Sequence, residues 1–403
     1  MKRITSIFII LIMILLNIPM KAAAKAVAPS VSADSAILMD GDTGEVLYSK
    51  SINTAYPPAS TTKVMTALLT LENCNLDDVV TVGKIPPFAD GSKIYLFEGE
   101  QLTVKDLLYG LILPSANDCA EALAEHISGS MEAFAVLMNK RAKELGCENT
   151  NFVNPSGLYD VNHKTSAKDL ATIMGELSKH KDYSTIATTL AYKIAPTNKS
   201  AVERPLWNEN RLIQKYSDYY YPYCIGGKTG YTVQSSHSYV SVAEKDGHKL
   251  IVALVHDTNK TFFQDARNLF DYGFNNYDYV KLYPKDSLVT SYSNNNTTIP
   301  LLAEKDFCYT MEKGANPKIS IKLSNTDLSN KYFSRGDIVT TGDVYVDNKK
   351  IGTLNLKSDT DHKLTKIITS NKYYLPGAMG AVFILLSLVS ISIIIKRKKI
   401  RNR

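Results

Sequence analysis

Three short groups of residues could together carry out nucleophilic chemistry on an acyl group. Pro57-Pro58-Ala59-Ser60-Thr61-Thr62-Lys63 runs into an apolar stretch, so Ser60 is expected at a helix start with Lys63 one turn further along the same face. A serine hydroxyl is a poor nucleophile until a base removes its proton, and a lysine can do so only where burial or neighbouring cations lower its pKa. A helix N-terminus adds free N–H groups and partial positive charge where an oxyanion would develop. Ser115-Ala116-Asn117 follows an apolar helix over 106–113 and a proline, which puts a second hydroxyl and an amide at a loop tip. Gly226-Gly227-Lys228-Thr229-Gly230 contains the one Lys-Thr-Gly of the chain, just before an apolar strand.

Each group alone is common. Ser178-Lys179-His180-Lys181 repeats the first pattern and reads as a solvated helix end, whereas Ser51-Ile52-Asn53 and Ser293-Asn294-Asn295 repeat the second and read as turn or cap residues. Order and spacing carry more information: Ser60 precedes Ser115 by 55 residues, and Ser115 precedes Lys228 by 113.

The elements that must position these groups mix both periodicities between residues 30 and 276. Ile37 to Met39 and Glu45 to Tyr48 read as a hairpin around Gly41-Asp42-Thr43-Gly44, Val64 to Leu71 and Asp106 to Ile112 as helices, and Ser238 to Ala243 and Lys249 to Val255 as two strands joined at Asp246-Gly247. Strands at both ends of the region, with helices between, predict an α+β domain whose terminal strands share one sheet. A break is expected near Asn276 to Lys281. Beyond it short alternating runs (318–323, 343–346, 351–356) predict a small all-β domain over 277–366, with Ser291 to Thr298 as a loop and Ser358 to His362 as a linker.

The ends read as targeting information. Lys2 and Arg3, the apolar run Ile7 to Leu16, Pro19 and Ala22-Ala23-Ala24 have the order of a cleavable secretory signal over 1–24. Leu375 to Ile395 is a 21-residue run without charge, about 31 Å as a helix, followed by a basic cytoplasmic tail over 396–403 with six cations. One transmembrane span is therefore expected, with the catalytic region outside the cell membrane and the C-terminus in the cytoplasm. The formal charge of +6 comes from these ends, since residues 25–395 carry 37 positive and 40 negative side chains. Nucleic acid is thereby excluded as a partner. Five cysteines without paired spacing argue neither a disulfide scaffold nor a zinc site, and the seven histidines form no metal-binding pair, so no metal and no cofactor are expected. Asp160 and His163 invite a Ser-His-Asp reading, but Lys63 already supplies a base and a loop histidine of this kind is expected to be structural.

The ordered set Ser60/Lys63, Ser115/Asn117 and Lys228-Thr229-Gly230 is that of β-lactamases and penicillin-binding proteins. The chain resembles the serine D-alanyl-D-alanine carboxypeptidases among the low-molecular-mass penicillin-binding proteins. The likeness extends to Met39-Asp40, Gly99-Glu100, Leu113 to Asp118, Asn154-Pro155-Ser156-Gly157-Leu158, Tyr231-Thr232 and Asp271-Tyr272-Gly273-Phe274. It implies a penicillin-binding/serine β-lactamase-like transpeptidase domain, a Ser60 acyl-enzyme formed on the D-Ala-D-Ala end of a peptidoglycan pentapeptide, and acylation by β-lactam antibiotics. In that frame Lys63 is the base, Ser115 and Lys228 relay the proton to the departing amine, and Asn117 holds the substrate amide and Lys63. Thr229 and Gly230 line the substrate site, and the N–H groups of Ser60 and Tyr231 form the oxyanion hole. Spacing alone leaves open which lysine is the base.

Competing expectations are a DD-endopeptidase with the same site and a different groove, a penicillin-acylated sensor or scaffold without turnover, and a secreted β-lactamase. The last needs a deacylating glutamate, for which Glu203-Arg204-Pro205-Leu206-Trp207 is only a near miss. In one respect the chain departs from the family: Phe262 stands where an arginine commonly meets the substrate carboxylate. Lys260 is the expected substitute, with Lys228, Thr229 or Arg267 behind it.

Overall fold

The computed structural model describes residues 27–294 and 297–363. The expected signal, span and basic tail lie outside the described residues. Among the described residues no helix is long and apolar enough to cross a membrane.

The chain forms two compact units, the first comprising residues up to Leu282 together with Cys308–Asn316. It opens with the hairpin β1 (Ser35–Asp40) and β2 (Val46–Lys50), then a 3-10 turn Ala59–Thr62 that continues as α1 (Lys63–Asn73). A short ribbon β3 (Val79–Thr81) and β4 (Gln101–Thr103) precedes α2 (Val104–Ile112), α3 (Asn117–Ser128), α4 (Met131–Glu144), α5 (Ala167–Leu177) and α6 (Lys181–Ala187). A second ribbon β5 (Ala191–Ile194) and β6 (Arg204–Trp207) leads to β7 (Cys224–Thr232), β8 (Ser236–Lys245), β9 (His248–Asp257) and α7 (Phe262–Asn276). The main sheet has the order β2-β1-β9-β8-β7 and is antiparallel, so strands from both ends of the unit meet at its centre.

Both faces of that sheet are covered, which explains why β8 and β9 read as continuous apolar runs rather than alternating ones. Leu38, Leu250, Val252 and Leu254 pack with Ala266, Leu269 and Phe270 of α7, while Ile37, Ile251, Ala253 and Val255 belong to the larger core built by α1 to α6. Helix α1 is buried from Lys63 through Thr70, not merely on one face. Its polar side chains are satisfied internally, Thr66 donating to the carbonyl of Pro155 and Thr70 to that of Thr66. Helix α2 starts with a capping box between Thr103 and Asp106.

The Met39-Asp40 pair closes the first hairpin. Buried Asp40 accepts from the N–H groups of Asp42 and Thr43 and from Thr310, and lies 3.0 Å from His248 Nε2. Thr310 belongs to β13 (Phe307–Glu312), which pairs with β10 (Tyr277–Tyr283), and residues 308–316 thus return to the first unit.

The second unit is all β, a five-stranded antiparallel sheet β11-β12-β16-β15-β14 made from Leu288–Asn294, Thr297–Ala303, Lys349–Ser358, Ile338–Val346 and Ile319–Leu323. Two sequence expectations change here. The polar stretch 291–298 is mostly strand: Ser291, Tyr292, Ser293 and Asn294 pair with Pro300, Ile299, Thr298 and Thr297. Its Thr and Tyr content favours strand over the loop that polarity suggests. The expected linker also belongs to the fold, since Ser358 is a buried end of β16 and His362 exchanges backbone hydrogen bonds with Phe333.

Candidate active site

The turn that presents Ser60 is strained and tightly packed. Ala59 has φ +50°, a left-handed conformation costly for a residue with a Cβ. The loop 154–157 lies against it. Gly157 has φ +86°, and a Cβ there would stand 1.9 Å from the Ala59 carbonyl oxygen, so only glycine allows the approach. From the other side, a Cβ on Gly230 would stand 2.8 Å from Pro58 O and 2.9 Å from the backbone nitrogens of Ser60 and Thr61. The Lys-Thr-Gly element therefore lies within β7, the edge strand pressed against the Ser60 turn, instead of in a turn before a strand.

Lys63 is wholly buried. Its Nζ lies 3.0 Å from Ser60 Oγ, 2.6 Å from Asn117 Oδ1 and 2.7 Å from the Ser156 carbonyl oxygen. Burial, reinforced by the charge of Lys228, holds its pKa well below the ordinary lysine value. A neutral amine has two N–H donors and one lone pair. In that form the two carbonyl oxygens, which can only accept, would take the two donors and leave the lone pair for the Ser60 hydroxyl.

Asn117 is not at a loop tip but opens α3, with its amide nitrogen donating to the Asp90 carbonyl. The neighbouring Asp118 accepts from the N–H groups of Ile94 and Leu96, tying the 90–97 segment to the same helix end. Ser115 is buried too, with φ +64°, and its Oγ has no hydrogen-bond partner among the described residues. An unpaired buried hydroxyl carries a penalty that a substrate or proton relay would remove.

Lys228 is buried on β7 and donates to the Thr229 carbonyl at 3.1 Å. Burial lowers its pKa to about 8, against a raising influence from Glu209. Both lysines of the site are thus held below the ordinary lysine range, Lys63 beside Ser60 and Lys228 on the strand.

Ser60, Ser115, Thr229, Gly230 and Tyr231 line one cleft of about 800 Å³, together with Lys260 and Phe262. Arg267 is not among its lining residues and donates instead to the Asp218 carbonyl. Two charged lining residues carried no signal in the sequence, Glu209, whose carboxylate accepts from the Thr229 hydroxyl at 3.4 Å, and Arg211. Glu203 pairs with Lys193, and Arg204 with buried Glu100, so the near-miss glutamate segment is engaged away from the cleft.

His163 is structural. The Val153 N–H donates to its Nδ1, which leaves the proton on Nε2 to reach Thr62 Oγ1 at 2.8 Å. Burial lowers its pKa to about 4, and a second ring proton would face the Val153 N–H. Ser178 donates to the Gly175 carbonyl at the end of α5, while Lys181 begins α6, so the second Ser-x-x-Lys makes no comparable pair. All five cysteines are free.

A strained serine turn with a buried lysine of lowered pKa, set against an edge strand carrying a second lysine, defines a serine acyl-transfer enzyme of the penicillin-binding/β-lactamase-like α+β class. The model of the D-alanyl-D-alanine carboxypeptidase family matches residues 21–259, and that of the penicillin-binding protein 5 C-terminal domain matches residues 277–364. The D-alanyl-D-alanine carboxypeptidase DacF of Bacillus subtilis is 36% identical over 303 residues, which cover 72% of this chain and 75% of the relative. Penicillin-binding protein 5 of Haemophilus influenzae superposes with a TM-score of 0.69 at 28% identity, over 83% of this chain and 99% of that structure. The Streptomyces K15 DD-transpeptidase superposes with a TM-score of 0.57 at 32% identity, over 62% and 100% respectively. The chain belongs to the serine D-alanyl-D-alanine carboxypeptidase family, and its activity is hydrolysis of the D-Ala-D-Ala bond.

Proposed function

We propose that this hydrolysis trims peptidoglycan stem peptides through a Ser60 acyl-enzyme, with Lys63 as the base. The observation that carries the assignment is the buried Lys63 Nζ, 3.0 Å from Ser60 Oγ and held by two carbonyl oxygens. Ser60 Oγ attacks the carbonyl carbon of the penultimate D-alanine while its proton passes to Lys63. Collapse of the tetrahedral intermediate breaks the C–N bond, and the departing amine takes a proton delivered through Ser115 from the lysine pair. Water then attacks the ester and returns the proton to Ser60. Ser60 and Tyr231 N–H groups stabilise the oxyanion, a term worth about 3 kcal/mol per donor. Close packing of Gly230 on the Ser60 backbone supports this placement. A β-lactam presents an equivalent acyl group and is expected to leave a covalent adduct on Ser60. Incubating the protein with a peptide ending in D-Ala-D-Ala should release D-alanine catalytically, whereas a single stoichiometric release would point to the sensor reading.

The same reading includes anchoring of an exported enzyme in the cell membrane. It is supported by the uncharged run Leu375 to Ile395, by the six cations that follow it, and by the signal-like order of residues 1–24. Protease added to intact cells is expected to destroy the catalytic domain while sparing a tag placed after Arg403. Full activity confined to the cytosolic fraction would contradict both the export and the anchor.

A further inference from the structure

A carboxypeptidase must recognise a free carboxylate, and an anion taken into a cleft needs a charged partner. The arrangement beside Thr229 does not serve this purpose alone, because Glu209 already accepts from the Thr229 hydroxyl and places a negative charge there. Around the wall from Phe262 the side chains form a continuous aromatic row: Phe262 to Phe263 is 4.5 Å between ring centroids, and Phe263 to Tyr219 is 5.5 Å. At its end the Arg211 guanidinium stands 4.6 Å from the Tyr219 ring centroid.

The backbone presenting Arg211 is well anchored. Buried Asn210 caps the turn Arg211–Ile213 by accepting from the Leu212 N–H, and its oxygen also accepts from Tyr239 OH. Among the described residues, Lys260 and Arg211 are the lysine and the arginine that line the cleft, and they differ in kind. Lys260 is an exposed point charge on a flexible stem, on a residue with φ +57°. Arg211 is a planar fork held in orientation by a ring face, with no hydrogen bond or ion pair to another described side chain. A fork of this kind matches a carboxylate through two parallel hydrogen bonds.

We propose that Arg211, stacked on Tyr219, reads the terminal carboxylate of the peptide substrate and takes this role in place of Lys260. The inference rests on Ser60 being the acylated nucleophile of this cleft. The test compares two peptides on the purified full chain, identical except that one ends in D-Ala-D-Ala carboxylate and the other in the carboxamide. Arg211→Ala is expected to raise KM for the acid tenfold or more, with kcat and the carboxamide kinetics changing less than threefold, and Arg211→Lys should recover part of the loss. Unchanged kinetics on the acid, or an equal loss on both peptides, would overturn the proposal. So would an acid-selective loss in Lys260→Ala that Arg211→Ala does not show. Penicillin labelling of Ser60 in the wild-type chain is scored separately, so failure of the nucleophile assignment is distinguishable from failure of the Arg211 assignment.

Discussion

Ser60→Ala is expected to abolish both D-alanine release and covalent labelling by penicillin, a loss of at least about four powers of ten if it matches removal of the nucleophile in other serine hydrolases. Ser60 is the hydroxyl that shares a buried lysine, and the lysine is set by partners that do not involve the serine. Losing Oγ should leave Asn117 and the Ser156 carbonyl still holding Lys63, so the variant is expected to fold with near wild-type thermal stability. Intact-protein mass after incubation with penicillin reads the outcome directly. An adduct on the Ser60→Ala chain, through Ser115 or Ser178 for example, would sink the assignment. Ser115 is the sharper control, because the residue lines the same cleft and its Oγ lacks a partner among the described residues.

Much of this site was legible in the sequence because its chemistry is encoded in short segments. Ser60 and Lys63 are one turn apart, and the geometry of a helix start brings them together whatever surrounds them. The sheet was legible for a similar reason, since β8 and β9 are apolar runs joined by Asp246-Gly247 and β1 and β2 flank a glycine turn. What stayed hidden are contacts made by groups that every residue has. The Ser156 carbonyl that fixes Lys63 lies 93 residues along the chain, and a backbone oxygen leaves no mark on residue type. His163 could be read as a loop histidine, yet its bond to Thr62, 101 residues away, follows from how loop 150–165 docks on α1. The glycine of Lys-Thr-Gly reads as a turn residue until Pro58 O and Ser60 N are seen where its Cβ would stand. Glu209 and Arg211 were missed because they sit in a polar connection between β6 and β7, where charges are ordinarily solvated. Their relevance comes from the strand edge they face.

Lys63→Ala and Lys228→Ala should each slow acylation by several powers of ten, while the double variant should be little worse than the poorer single one. Two groups on one proton path lose their function together, so their effects are not additive. The pH dependence separates their roles. Burial and the Lys228 charge hold the Lys63 pKa well below the ordinary lysine value, whereas Lys228 titrates at about 8 and, in the proposed mechanism, must be protonated to deliver a proton to the departing amine. The rate constant kcat/KM is therefore expected to fall as pH rises through about 8. Glu209 opposes the lowering of Lys228, because a carboxylate favours the charged ammonium. Replacing it in Glu209→Gln removes that support, lowers the Lys228 pKa further, and moves the alkaline limb to lower pH. Penicillin acylation followed by stopped flow between pH 6 and 10 would show the displacement. A limb that stays in place or moves upward in Glu209→Gln would mean that a group other than Lys228 sets it. A simple product of the two single-variant losses in the double variant would mean that the two lysines act on separate steps.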